Sequence, residues 1–192
     1  QNFSASSQET QPTGLSFKSD GAKMYITGMT NDAVYEYNLS TAWDISTATY
    51  SQNFSVSAQA SLPTGLFFIN DGTKMFVTNY YGAVNKYNLS TAWDVSSAVY
   101  SENFSVSSQE TQHYGVAFKS DGVKMYIIGN VSDAIFQYTT GTFGGYTINA
   151  SQFVADDGSL TTTNNGRKIG RGISSSELLI DSAMTGDETN EY

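Results

Sequence analysis

The stretch Asp71-Gly-Thr-Lys-Met-Phe-Val77 recurs as Asp20-Gly-Ala-Lys-Met-Tyr-Ile26 and as Asp121-Gly-Val-Lys-Met-Tyr-Ile127. Each copy is an Asp-Gly turn feeding an apolar run of strand-forming residues. The copies stand about 50 residues apart, and most of the chain repeats with them.

Before each copy lies a short strand: Leu15-Ser-Phe-Lys18, Leu66-Phe-Phe-Ile69 and Val116-Ala-Phe-Lys119. Alternation places Leu15 and Phe17 on one face. Polar loops ending at Gly14, Gly65 and Gly115 precede these strands. The Asp-Gly turn makes a hairpin to a second strand, Lys23–Thr27, with counterparts from Lys74 and Lys124. Its apolar residues fall on both faces, which predicts a strand covered on both sides. A polar turn, Gly28–Asp32, then leads to a third strand at Ala33–Leu39, Ala83–Leu89 and Ala134–Thr140. One of its positions holds Glu36, Lys86 or Gln137, and this indifference to charge sign predicts a solvent-facing side chain. The word Ser40-Thr-Ala-Trp-Asp44, repeated as Ser90–Asp94, links to a fourth strand near Ala48–Val56 and Ala98–Val106. Gln1-Asn-Phe-Ser-Ala-Ser6 matches the end of that strand, so the chain opens inside a unit.

Four short antiparallel strands per unit form one blade of a β-propeller, and stacking covers the faces that a lone sheet leaves exposed. The words Asp71–Asn79 and Ala83-Val-Asn-Lys-Tyr87 resemble the YVTN-type propeller repeat. The longer unit, with Pro63-Thr-Gly65 and Tyr87–Asp94, resembles repeats in virion and tail proteins of marine tailed phages. The resemblance covers residues 1–140. The expected fold is therefore all-β: a propeller-type array of about three four-stranded blades (about 1–50, 51–100 and 101–140) and a small C-terminal β module at 141–192.

Three blades do not close a ring. The third copy also loses its fourth strand, because Thr139-Thr-Gly-Thr-Phe-Gly-Gly-Tyr146 follows Tyr138. The chain is then a fragment of a longer propeller, half of a six-bladed ring made by two chains, or an open stack capped by the C-terminal module. That module reads as strands at Thr147–Val154, Ser159–Thr163, Lys168–Ile173 and Ser176–Ile180, with turns at Asp156–Ser159 and Asn165-Gly166. It resembles small β modules near the ends of phage structural proteins. Thr185–Tyr192 is acidic and polar, a tail expected to fray or to dock on a neighbour.

Composition narrows the function classes. The net charge of −9 disfavours nucleic acid as a partner. The short basic group Arg167, Lys168 and Arg171 reads as a solvated turn. There is no cysteine, so disulfides, thiol catalysis and cysteine-rich zinc sites are excluded. No apolar run approaches the roughly 20 residues of a membrane-crossing helix. The start at Gln1, without an initiator Met or a signal peptide, reads as a processed chain or a piece of a longer one.

No catalytic signature stands out. Asp20, Asp71 and Asp121 recur at equivalent turns, where Asp before Gly accepts turn hydrogen bonds. Asp156-Asp157-Gly158 lacks the alternating oxygen ligands of a calcium loop. The lone His113 has no nucleophile-elbow motif to serve. The expectation is a protein that is not an enzyme and holds no cofactor or metal.

Binding candidates are few. Tyr80 and Tyr81 occupy a turn with no aromatic counterpart in the other copies. His113 and Tyr114 replace the Pro-Thr of the first two units and read as drift in an exposed loop or an altered rim site. Trp43 and Trp93 stand in identical words and read as packing between blades. Asn-x-Ser sequons at Asn2, Asn38, Asn53, Asn88, Asn103, Asn130 and Asn149 would carry glycans in a secreted archaeal or eukaryotic protein.

The expected function is a structural or receptor-facing component of a virus particle: a phage tail, fibre or head-decoration protein. Its expected partners are other virion proteins, copies of itself and host-surface glycans. The alternative is a secreted or cell-surface adhesin or lectin-like propeller.

Overall fold

The computed structural model describes residues 1–120 and 122–140 with their side chains. Beyond these it describes the backbone of strands Ser151–Val154, Leu160–Thr161, Arg167–Gly172 and Leu178–Leu179. The chain divides into two units, Gln1–Thr139 and Thr140–Tyr192.

The first unit is the repeat array. β1 (Pro12–Phe17), β2 (Lys23–Gly28), β3 (Ala33–Leu39) and β4 (Ala48–Ser55) form a sheet in that order. β5 (Pro63–Phe68), β6 (Lys74–Asn79), β7 (Ala83–Leu89) and β8 (Ala98–Ser105) form the second. β9 (His113–Phe118), β10 (Lys124–Gly129) and β11 (Ile135–Thr139) form a third, with β9 and β11 at its edges. All pairings are antiparallel. The fold is all-β and matches the blade reading.

Each first strand runs beside the next, β1 by β5 and β5 by β9. Two side-chain bonds tie these inner strands: the Thr13 hydroxyl donates to the Pro63 carbonyl at 2.7 Å, and Thr64 donates to the His113 carbonyl at 2.8 Å. The core lies between the sheets, where Tyr25, Leu66, Phe68, Met75, Val77 and Trp93 pack together.

The Asp-Gly turn is held as its residues demand. The Asp20 carboxylate accepts from the Ala22 N–H at 2.9 Å, and Asp71 accepts from Thr73 at 2.8 Å. Gly21 and Gly72 have φ of 75° and 69°. The Trp43 and Trp93 rings sit over these glycines, where an added Cβ would lie 2.3 Å from each ring. Both tryptophans are themselves at positive φ, 67° and 65°, a strained region for a bulky residue. Their backbone N–H groups donate to the Gly21 and Gly72 carbonyls at 3.0 and 2.9 Å, which holds the conformation. Asp121 lies outside the described residues.

Two expectations are corrected. Glu36 and Lys86 do not face solvent; they are 1% and 6% exposed. The position accepts either charge because its neighbour changes with it. Glu36 accepts from Lys23 at 2.6 Å and from Gln52 at 3.0 Å, while Lys86 pairs with Glu102, the counterpart of Gln52, at 2.8 Å. Residues 1–5 form no strand. Their sequence matches a fourth strand, but β3 already pairs with β4.

The second unit contains a sheet in the order β13 (Leu160–Thr161), β12 (Ser151–Val154), β14 (Arg167–Gly172), β15 (Leu178–Leu179). The turns expected at Asp156–Ser159 and Asn165-Gly166, and the 185–192 tail, lie outside the described residues.

Candidate functional site

The turn between β6 and β7, Tyr80-Tyr81-Gly82, is one residue shorter than Met29–Asp32 in the first blade and Asn130–Asp133 in the third. Gly82 makes the tight reversal at φ 83°. The turn is anchored on both sides: Tyr80 N–H donates to the Leu62 carbonyl at 2.9 Å, and its carbonyl accepts from His113 N–H at 3.3 Å. The second bond joins the second blade to the third.

This anchoring gathers three tyrosines. The Tyr80 ring meets Tyr81 edge-on at 5.1 Å and Tyr114 edge-on at 5.7 Å. The Tyr80 hydroxyl donates to Gln112 Oε1 at 2.5 Å, and Asn130 Nδ2 donates to the same oxygen at 3.2 Å. Desolvation, then the neighbouring Tyr114 hydroxyl, push the Tyr80 phenol above its ordinary range. Tyr81 and Tyr114 remain 63% and 44% exposed. Edge-on aromatic faces beside amide groups offer stacking area and hydrogen bonds to a planar or sugar-like ligand.

His113 is corrected from an exposed loop residue to a buried one. It is 0% exposed and belongs to β9, where Pro63 occupies the equivalent buried place in the second blade. Burial pushes the imidazole down, favouring the neutral ring. Among the described residues, neither ring nitrogen has a hydrogen-bond partner. His113 is therefore a buried residue of the inner strand and not part of an exposed loop.

Sequence reasoning missed two glutamates behind these turns. Glu9 and Glu110 are each 1% exposed. Glu9 accepts from the N–H groups of Gln11, Thr30 and Asn31 at 2.8, 3.2 and 3.2 Å. Glu110 accepts from those of Gln112, Val131 and Ser132 at 2.8, 3.3 and 3.1 Å, and from the Ser132 hydroxyl at 2.5 Å. The second blade has Ala60 here and the shorter turn. The detectable signal was this alternation within the repeat. Every acceptor bond is spent on the turns, so the glutamates shape the rim.

The remaining candidates are dispersed. Trp93 is 9% exposed and stacks on Phe68 at 5.4 Å, while Trp43 is 59% exposed beside Phe17. Asn2, Asn38, Asn53, Asn88, Asn103 and Asn130 are exposed. Asn149, Asp156 and Asp157 lie outside the described residues, and the side chains of Arg167, Lys168 and Arg171 are not described. Among the described residues, no three His, Cys, Asp or Glu side chains converge as a metal cluster would. Among the described residues, no helix is long and apolar enough to cross a membrane.

No family model matches the sequence. No curated protein matches it. Solved structures do share the fold. A candidate 6-phosphogluconolactonase from Bacteroides fragilis aligns with TM-score 0.53 and 12% identity, over 78% of this chain and 37% of that one. One from Bacteroides uniformis aligns with TM-score 0.52 and 14% identity, over 85% and 41%. Kuenenia stuttgartiensis hydrazine synthase aligns with TM-score 0.52 and 15% identity, over 74% and 37%. The chain thus spans about two fifths of the length of these structures. At such identities the likeness shows the fold alone. It corrects one expectation, that of a protein that is not an enzyme: the blade architecture is shared with chains described as candidate enzymes. The exclusion does not stand.

Proposed function

We propose that this chain is a rigid display module, a structural and receptor-facing component of a virus particle such as a phage tail, fibre or head-decoration protein. Stacked sheets hold rim turns in fixed geometry, and the Tyr80–Tyr81–Tyr114 cluster is the receptor-facing patch. The observation that carries the reading is the convergence of tyrosines from two blades on one rim, two of them exposed. Among the described residues the cluster occurs once, which supports a single recognition surface. The repeat words add the resemblance to virion proteins.

The test is binding of the labelled chain to host cells and to a panel of immobilised surface polysaccharides, with Tyr81→Ala and Tyr114→Ala alongside. Both side chains are exposed, so the variants are expected to fold and to bind at least about tenfold more weakly. Binding unchanged in both variants would sink the assignment of the patch. An antibody against the chain that fails to label intact particles would sink the virion reading.

A secreted, glycan-binding surface protein is the second reading. The exposed sequon asparagines favour it. Intact mass of the native protein separates the two: a heterogeneous excess means occupied sequons and a cellular surface.

A further inference from the structure

Among the described residues, the outer faces of the first and third blades each repeat one half of an interface that the array builds internally. Between the first and second blades, Tyr25 Oη donates to the Trp93 carbonyl at 2.7 Å and Lys23 Nζ donates to the same oxygen at 3.1 Å. Glu36 accepts from Val95 N–H at 3.2 Å, and Gln52 donates to Asp94 at 2.6 Å. The back of the first blade thus supplies Lys, Tyr and an acceptor. The front of the second supplies the Trp-Asp turn.

The back of the third blade repeats that set as Lys124, Tyr126 and Gln137. The front of the first blade repeats the other set as Trp43, Asp44 and Ile45. By contrast, the back of the second blade carries Phe76 and Lys86, and Phe76 packs on Phe118 at 4.3 Å in the third blade, which has no Trp-Asp word. The two outer faces therefore match each other. Their exposure shows what is missing: Leu15 and Trp43 are both 59% exposed, against 5% and 9% for Leu66 and Trp93. Ile135 is 72% exposed, while its counterparts Val34 and Val84 are fully buried opposite Phe54 and Phe104.

The N-terminal segment supplies the other missing part. It makes the contacts of a fourth strand. Phe3 packs edge-on against Tyr37 at 5.1 Å, as Phe54 packs on Tyr87 and Phe104 on Tyr138. Gln8 and Glu9 N–H donate to the Ala5 carbonyl, as Gln59 and Ala60 do to Val56. Among the described residues, the third sheet ends at β11.

We propose that a second copy of this chain docks head-to-tail, the front of its first blade against the back of the third blade, and that its residues 1–6 add the fourth strand to β11. Applied twice about a two-fold axis, this contact closes two chains into a six-bladed ring. The register follows from the second blade, where Ala83, Val84, Asn85 and Lys86 face Ser105, Phe104, Asn103 and Glu102. Ser4, Phe3, Asn2 and Gln1 of the second copy then face Ala134, Ile135, Phe136 and Gln137. Phe3 covers Ile135, and Gln137 offers its carbonyl to the partner's Ile45 N–H. This proposal is independent of the virion reading.

The test is the native mass of the full chain at tens of micromolar, with Leu15→Asp and Ile135→Asp. Both residues are exposed in the single chain, so neither substitution is expected to unfold it. The expected result is twice the chain mass for the wild type and the single mass for each variant. Amide exchange across 135–139 reads the added strand directly: it slows as wild-type concentration rises, and this readout needs no variant. A monomeric wild type, a dimer that survives both substitutions, an open-ended polymer, or exchange at 135–139 that ignores concentration would each overturn the proposal.

Discussion

Gly28 lies directly against the side chain of Glu9: a Cβ added at residue 28 would stand 2.5 Å from Glu9 Cγ and 2.3 Å from the Gln11 carbonyl oxygen. The third blade repeats the pair as Gly129 and Glu110. The second blade breaks both halves together, with Asn79 and Ala60. Glutamate and glycine share one volume; asparagine and alanine divide it differently. Gly28→Asn is expected to destabilise by about 2–3 kcal/mol, because overpacking displaces a buried carboxylate. Glu9→Ala in the same chain is expected to recover part of that loss. Urea unfolding of the two single variants and the double variant measures the coupling. Additive effects would show that the residues do not compete for space.

Acid should reveal the buried glutamates. Hydrogen bonds from the Ser132 hydroxyl and from the Gln112, Ser132 and Val131 N–H groups outweigh burial and hold the Glu110 carboxyl down at about 2, against an ordinary 4.5. For Glu9, burial pushes the carboxyl up, but the N–H groups of Gln11, Asn31 and Thr30 and the Thr30 hydroxyl prevail and lower it. A depressed carboxyl contributes stability that is fully present above its unfolded value and is lost as pH falls through the folded one. The window for Glu110 is therefore pH 4.5 down to about 2. Glu110→Gln should lower Tm at neutral pH and flatten the fall across that window. Parallel Tm curves for wild type and variant would remove Glu110 from the account.

Tyr25→Phe isolates a single bond between blades. It removes the 2.7 Å contact to the Trp93 carbonyl and keeps the ring on Phe68. Phe76 shows that the position takes phenylalanine without a backbone change. The expected cost is about 1 kcal/mol in urea. A cost near zero would mean that another group, such as Lys23, serves the carbonyl equally well.

Lys86→Glu tests whether charge at this position follows its neighbour. The substitution sets a buried carboxylate opposite Glu102, where an ion pair of 2.8 Å now stands. A loss of about 2–4 kcal/mol is expected. Adding Glu102→Gln restores the Glu-Gln pairing of the first blade and should recover a measurable part. If the double variant were no more stable than Lys86→Glu, the pairing would not explain the tolerance.

The repeat determined the blades. Strand alternation, the Asp-Gly turn and a unit of about 50 residues depend on local backbone chemistry, which any one copy displays and the others confirm. Ala33–Leu39 and Ala83–Leu89 are strands with the ends read from sequence alone. Only the tertiary structure decided which face of each strand is covered, because coverage depends on the next blade and not on the strand itself. The same Trp-Asp word is buried at Trp93 and open at Trp43. The same inner-strand position is open at Pro12 and buried at His113. Glu36 and Lys86 read as surface residues because their partners lie elsewhere in the chain, at Gln52 and Glu102, and pairing across a sheet is invisible until the strands are set side by side. The tyrosine patch follows the same rule: Tyr80 and Tyr114 are distant in sequence and belong to different blades, and stacking alone brings their rings together.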